Sequence, residues 1–389
     1  KALSKFCVVY YLLFSMLMPT AAGVLVPQAP ADKRIVEAPI FTKEHREFLM
    51  EHGYVVIPNV VDQVFCEKCI EDLKKVISIW DETLTTKNPS AWSPEKLPAG
   101  TAYGINRLVA HSQAQWNVRQ HPRVVQCFAE YWSSGVNKYQ LDEMVTSMDA
   151  FNFYLAASIK SPSPFWAHTD QGRHSKSVLD GKCLQGLVNL ISCEGDNDGG
   201  LVVWDKGHRA WRGIFEKYPY GGGKGNFYRY LESTMKHIEQ DGREFLARED
   251  SLANSEDPVP MKRIRVRAPA GALVLWFSMT PHQNDAPFMR NPSAPFGRDR
   301  AAVYVCMCPK PYLVLPKDTK KRKMAFEENR QTSHWPAGGQ VEVFSLLSFR
   351  ARDKEKAKVI KEKIERFRKH PYIKKKPELT WLGKSVLGV

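Results

Sequence analysis

Three residues in two short stretches have the types and spacing to hold a metal ion. FWAHTDQG carries His168 and Asp170 two positions apart, and WFSMTPHQND carries His282. In a strand, residues i and i+2 project to the same side, so an imidazole and a carboxylate at that spacing can converge on one cation. A second imidazole from another segment completes a set of two histidines and one carboxylate. On one face of an octahedral ion this set leaves three positions open, the arrangement suited to non-haem Fe(II) with O2 and a chelating cosubstrate. A 2-oxoglutarate chelate leaves its far carboxylate to be met by a cation, and arginine does so with a planar fork. FGRDRAAVYVCMC, downstream of His282, offers Arg298 and Arg300 on one face of a strand. Spacing alone does not choose between them.

Holding these groups in place requires strands. β-Branched and aromatic runs separated by Gly and Pro predict strands over 144–156, 165–169, 183–193, 200–204, 262–268, 272–277 and 300–308. Many strands with short turns predict a barrel or sandwich. Ahead of them, Thr42 is placed as the N-cap of a helix that Gly53 stops, Tyr54 to Ile57 as a strand, and Asp62 to Trp80 as a second helix. Cys66 and Cys69 share a face of that second helix and read as small buried hydrophobes. No second CxxC accompanies them, which argues against zinc. An insertion over about 214–260 holds a Gly-rich turn and a helix near 230–249.

The chain has 389 residues, 43% hydrophobic and 25% charged, which excludes wholesale disorder and collagen-like classes. Its formal charge of +14 is uneven, since residues 310–389 hold 21 Lys/Arg against 9 Asp/Glu. The body is nearly neutral and the tail is basic. Within the tail, Ala357, Ile360, Ile364 and Phe367 form one apolar stripe, which predicts an amphipathic helix over 351–370 docked on the outside of the body. At the other end, Lys1 and Lys5, an apolar run from Phe6 to Met18, and small residues after Pro19 fit a signal peptide or membrane anchor over 1–26. That segment implies the secretory pathway (ER lumen or secretion) or a membrane-anchored protein, and a cytoplasmic one if it is no signal. Residues 27–40, Pro-rich and aperiodic, read as a linker.

Four motifs in order carry a resemblance: HGYVVIPNVVD, IKSPSPFWAHTD, DGGLVVWDKGHR and GALVLWFSMTPHQND. Together they are similar to the phytanoyl-CoA dioxygenase (PhyH-like) family of Fe(II)/2-oxoglutarate-dependent oxygenases, over residues 41–310. The resemblance implies a mainly β fold with flanking helices, a double-stranded β-helix or jelly-roll, cupin-like barrel. It implies His168, Asp170 and His282 as metal ligands. It favours Arg300 over Arg298 for 2-oxoglutarate, and it adds Asn152 as a polar cosubstrate contact. Residues 311–389 are then a basic C-terminal extension. The carboxylate at position 170 favours hydroxylation over halogenation.

The expected protein is therefore a dioxygenase using Fe(II), 2-oxoglutarate and O2 to hydroxylate an unactivated carbon of a small-molecule or lipid-like substrate, with succinate as coproduct. The N-terminal segment allows membrane association. Two other readings stand beside it. One is an inactive barrel that interacts through its basic tail. The other is a nucleic-acid-modifying oxygenase gripping phosphate through Lys320 to Lys323 and Lys374 to Lys376. The second is disfavoured because no aromatic residues interleave the basic patches.

Overall fold

A computed structural model describes residues 38–389, apart from positions within 86–102, 135–136, 173–182, positions within 212–226, 250–260 and 345–353. The 1–26 segment and most of the 27–40 linker lie outside the described residues. No described helix is long and apolar enough to cross a membrane.

Helix α1 (Lys43–His52) starts at Thr42, whose hydroxyl accepts from His45 N while His45 Nδ1 accepts from Thr42 N. It ends at Gly53, with φ 80, a left-handed conformation that a Cβ would oppose. Strand β1 (Tyr54–Ile57) leaves directly, and α2 (Gln63–Trp80) follows, with Asp62 accepting from Phe65 N at 2.7 Å. Cys66 and Cys69 are both buried on α2, as their spacing suggested.

The chain continues through β2 (Ile105–Asn106), α3 (Gln113–Arg119), α4 (Pro122–Trp132), β3 (Met144–Thr146), β4 (Phe151–Tyr154), β5 (His168–Thr169), β6 (Leu184–Asn189), β7 (Gly200–Trp204) and β8 (Tyr228–Arg229). Then come α5 (Glu232–Glu249), β9 (Arg263–Arg265), β10 (Leu273–Phe277), β11 (His282–Asp285) and β12 (Arg300–Pro309). The C-terminal part holds α6 (Lys317–Glu327), α7 (Lys354–Lys369), α8 (Pro371–Lys374) and α9 (Trp381–Leu387).

The strands form two antiparallel sheets. The larger runs β1-β10-β6-β12-β4-β2, with β3 also on β12, and the smaller runs β8-β5-β11-β7-β9. Alternation along each strand shows how they stack. On β10, Leu273, Leu275 and Phe277 join a core shared with α2 and α4, while Val274 and Trp276 face the other way. There they meet Leu187 of β6, Leu201 and Val203 of β7, and Ala302 of β12, so this cluster lies between the sheets. On β7, Val202 and Trp204 turn outward and pack on Met235 and Ile238 of α5. Strands buried on both faces read as continuous apolar runs, which is why GLVVW and LVLWF were so plain in the sequence. Sheets packed face to face with helices outside give the expected jelly-roll, mainly β fold.

Short strands β2 and β8 and helices α3, α4, α6, α8 and α9 were not foreseen, and two further departures bear on the site. The run 144–156 is broken into β3 and β4 by residues 147–150, where Ser147 N bonds Cys306 O across to β12. Strand β11 was not foreseen, because HQND has no apolar alternation. Its polar side chains are met internally: Gln283 Nε2 and Arg263 Nη2 each donate to Asp285 at 2.8 Å, and Asn284 Nδ2 donates to Tyr103 O at 2.8 Å.

The basic tail is partly built into the molecule. Helix α7 covers the segment foreseen over 351–370, and its Ile364 and Phe367 are buried. Phe367 meets the Trp80 ring edge-on at 5.5 Å, and Lys363 pairs with Asp81 at 2.7 Å, so α7 docks on α2. The side chains of Ala357 and Ile360 lie outside the described residues. In the run Lys320 to Lys323, Arg322 is fully buried and donates to the carbonyls of Thr146, Pro336, Val386 and Leu387. Lys376 caps α6 through the carbonyls of Phe326 and Glu327.

Candidate metal centre

Strands β5 and β11 pair so that His282 stands directly opposite His168. Their rings lie 4.3 Å apart, centre to centre. Asp170 sits just past the end of β5, held by a bond from its N–H to Ser278 O. Its Oδ2 is 3.8 Å from His168 Nε2 and 3.4 Å from His282 Nε2. One ligand atom from each of the three lies within 4.8 Å of the others. Donors about 2.1 Å from one ion at right angles stand about 3 Å apart, so small side-chain rotations close the set around a cation.

Each imidazole is oriented through its other nitrogen. His168 Nδ1 bonds Trp166 O at 3.0 Å and His282 Nδ1 bonds Thr280 O at 2.9 Å. A carbonyl only accepts, so Nδ1 carries the proton in both rings and each Nε2 lone pair faces the third ligand. Burial, reinforced by His282, pushes His168 down to about 3, which keeps it neutral and able to ligate. Burial would raise the Asp170 carboxyl, but His334, His168 and His282 more than offset this and hold it well below its ordinary value. Two imidazoles presenting Nε2 and one ionised carboxylate fit a six-coordinate divalent ion of the Fe(II) kind.

Two residues that sequence reasoning missed face the carboxylate. Gln185 on β6 donates Nε2–H to Asp170 Oδ2 at 2.8 Å. His334 places Nδ1 3.9 Å from the same oxygen. Gln185 left a trace in the sequence, as a polar residue inside the apolar run LQGLV. His334 left none, because its approach is made by the tertiary path of the extension after β12.

The ligands open onto a cavity of about 370 Å3. Trp166 stacks between Tyr103 at 4.0 Å and His168 at 4.4 Å, and Trp276 lies 5.5 Å from His282. Gln331, Ser333, His334, Trp335, Gln340 and Phe344 also line it, so the C-terminal extension forms one wall. Trp204, another aromatic of the strand runs, is instead in the outer core, bonded to Glu239.

The two arginines are separated. Arg300 opens β12 and is buried, on the same strand face as Ala302 and Tyr304. Its Nε donates to Asn152 Oδ1 at 3.1 Å, and its Nη2 is shut from solvent with no hydrogen bond. Asn152 is itself held by its Nδ2 bond to Tyr103 O at 2.9 Å. An orphaned guanidinium N–H fits a cosubstrate carboxylate. Arg298 precedes the strand, so the two-residue spacing does not set its direction. Its guanidinium is taken by Asp198, at 2.6 Å and 3.1 Å, and is not brought to the site.

No family model matches the sequence. The chain is 28% identical over 327 residues to Ava biosynthesis cluster protein O of Aspergillus versicolor, covering 80% of this chain and 92% of that protein. Among solved structures, GlcNAc Inducible Gene 2 from Candida albicans aligns with a TM-score of 0.47 and 12% identity, over 91% of this chain and 81% of that one. HygX from Streptomyces hygroscopicus, solved with nickel and 2-oxoglutarate bound, aligns with a TM-score of 0.38 and 13% identity, over 70% of this chain and 88% of that one. The likeness to phytanoyl-CoA dioxygenases thus rests on the four sequence motifs alone.

Proposed function

We propose that this protein is an Fe(II)/2-oxoglutarate-dependent dioxygenase that hydroxylates an unactivated carbon of a small organic molecule. The observation that carries the reading is the convergence of His168, Asp170 and His282, with both histidine Nδ1 atoms tied to backbone carbonyls. When bound, iron with 2-oxoglutarate and O2 would supply the oxidising power for an unreactive C–H bond, with succinate and CO2 as coproducts.

The chain's own residues bind and orient. Arg300, steadied by Asn152, receives the far carboxylate of 2-oxoglutarate. Gln185 fixes the rotation of the Asp170 carboxylate, and Trp166 fixes the His168 ring by stacking. Trp166, Trp276 and Trp335 border the cavity and limit water near the ligands. A cavity of about 370 Å3 suits a small molecule better than a polymer.

The test is succinate formation from 2-oxoglutarate and Fe(II) across a metabolite library. Succinate released in step with one oxidised metabolite, and abolished in Asp170→Ala, is the expected result. A protein that binds neither Fe(II) nor 2-oxoglutarate overturns the reading.

A further inference from the structure

The cavity contains a carboxylate that the iron chemistry does not use. Asp149 lies between β3 and β4 and lines the same cavity as the metal ligands. Both hydrogen bonds that its carboxylate accepts fall on Oδ1, from Ala150 N at 2.6 Å and Gln331 Nε2 at 2.9 Å. Its Oδ2 accepts none, and no ion pair reaches Asp149 among the described residues. The buried guanidinium of Arg119 is directed at backbone carbonyls, of Ala110 and of Asp149 itself, and not at this carboxylate. Arg107 and Glu342 stand at the exposed rim of the cavity. Burial pushes the Asp149 carboxyl up, a penalty that a bound cation relieves.

The walls favour the same kind of ligand. Trp166, Phe227, Trp276, Tyr304, Trp335 and Phe344 all border the space. Aromatic faces attract cations through the ring quadrupole, most strongly where water is excluded. A carboxylate at depth with aromatic sides is the chemistry that recognises an ammonium group. Away from the metal ligands the lining carries two carboxylates, Asp149 and Glu342, against one guanidinium, Arg107, and the His334 imidazole.

We propose that the cavity selects substrates that carry a protonated amine, which Asp149 receives through Oδ2 between aromatic walls. The proposal rests on the oxygenase reading for what happens to the ligand, but not for its binding. The experiment is calorimetric titration of the full chain, loaded with Ni(II) in place of iron and with 2-oxoglutarate, using tryptamine and its uncharged isostere tryptophol as probes. Tryptamine is expected to bind at least tenfold more tightly than tryptophol. Asp149→Asn is expected to abolish that preference while leaving 2-oxoglutarate affinity unchanged. Equal affinities in the unsubstituted protein, or no binding of either probe, overturn the proposal and leave Asp149 as a counter-charge for Arg119. A preference that survives in Asp149→Asn overturns it as well. Failure of the unsubstituted protein to bind 2-oxoglutarate sinks the oxygenase reading instead, and the amine preference is then judged on the same two probes without it.

Discussion

Gln185 and Asp170 are joined across the two sheets: Nε2 of the former, on β6 of the larger sheet, donates at 2.8 Å to Oδ2 of the latter, at the end of β5 in the smaller one. The bond falls on the oxygen that also faces both histidines. It therefore sets the carboxylate's rotation before any metal arrives.

Replacing Gln185 with Leu keeps the shape and removes the donor. Groups that orient metal ligands typically govern ten- to a hundredfold in affinity, and a loss of about that size is expected for Fe(II). Gln185→Asn, whose shorter amide does not reach Asp170 Oδ2, should lose a similar amount. Titration with Co(II), followed by its visible absorption, gives both affinities, and unchanged circular dichroism shows that the fold is kept. Equal Co(II) affinity in Gln185→Leu would remove the role.

The arginines should respond differently to one change. Arg300→Lys retains charge and loses the fork, and 2-oxoglutarate affinity is expected to fall at least tenfold, equivalent to about 1.4 kcal/mol or more. Arg298→Lys alters only the pair with the buried Asp198, away from the metal ligands, and should leave that affinity within twofold. Calorimetric titration with 2-oxoglutarate reads both. A loss confined to Arg298→Lys would move the role to Arg298.

Acid should unfold the protein partly through His111. Its Nε2 bonds Arg330 O at 3.0 Å and its Nδ1 accepts from Trp116 Nε1 at 3.0 Å, so the neutral ring is fully paired. Burial, then the charges of Arg119 and Lys376, push it down to about 3. The unfolded chain takes up this proton near 6.5, so the stability from the neutral ring is complete above about 6.5 and is lost as pH falls toward 3. Each unit in that window costs up to about 1.4 kcal/mol from this residue. Melting temperature should drop between pH 6.5 and 4, and less steeply in His111→Phe. Parallel slopes would refute the assignment.

Removing α9 should be costly out of proportion to its length. Arg322 is fully buried and two of its carbonyl acceptors, Val386 and Leu387, belong to that helix. Hydrogen bonds to a charged group contribute about 1.5–3 kcal/mol, and the exposed cavity adds to this. Truncation after Thr380 is expected to lower stability by about 3–5 kcal/mol, read as a shifted urea midpoint. An unchanged midpoint would mean that Arg322 finds other acceptors.

The candidate metal ligands were legible because three signals coincide: a His and an Asp two apart, a second His after an apolar strand, and an Arg further on. The double burial of β7 and β10 made those strands readable as well. Strand β11 was not legible, since its polar residues are paid for by partners far away in sequence, Tyr103 and Arg263. Nor were Asp149 and His334, which lie 185 residues apart in sequence and meet the same cavity only through the fold. The two-residue spacing of Arg298 and Arg300 suggested a common face, but β12 begins at Arg300 and the earlier residue is free to turn to Asp198.

The three candidate metal ligands lie between residues 168 and 282, whereas Gln331 to Phe344, beyond the last strand, supply a wall of the cavity they open onto. The three candidate donors and this wall thus come from different stretches of polypeptide. The later stretch also reaches back to the donors, since His334 Nδ1 stands 3.9 Å from Asp170 Oδ2. The separation also sets an order during synthesis, because all three candidate donors are made before the wall of the cavity that they open onto.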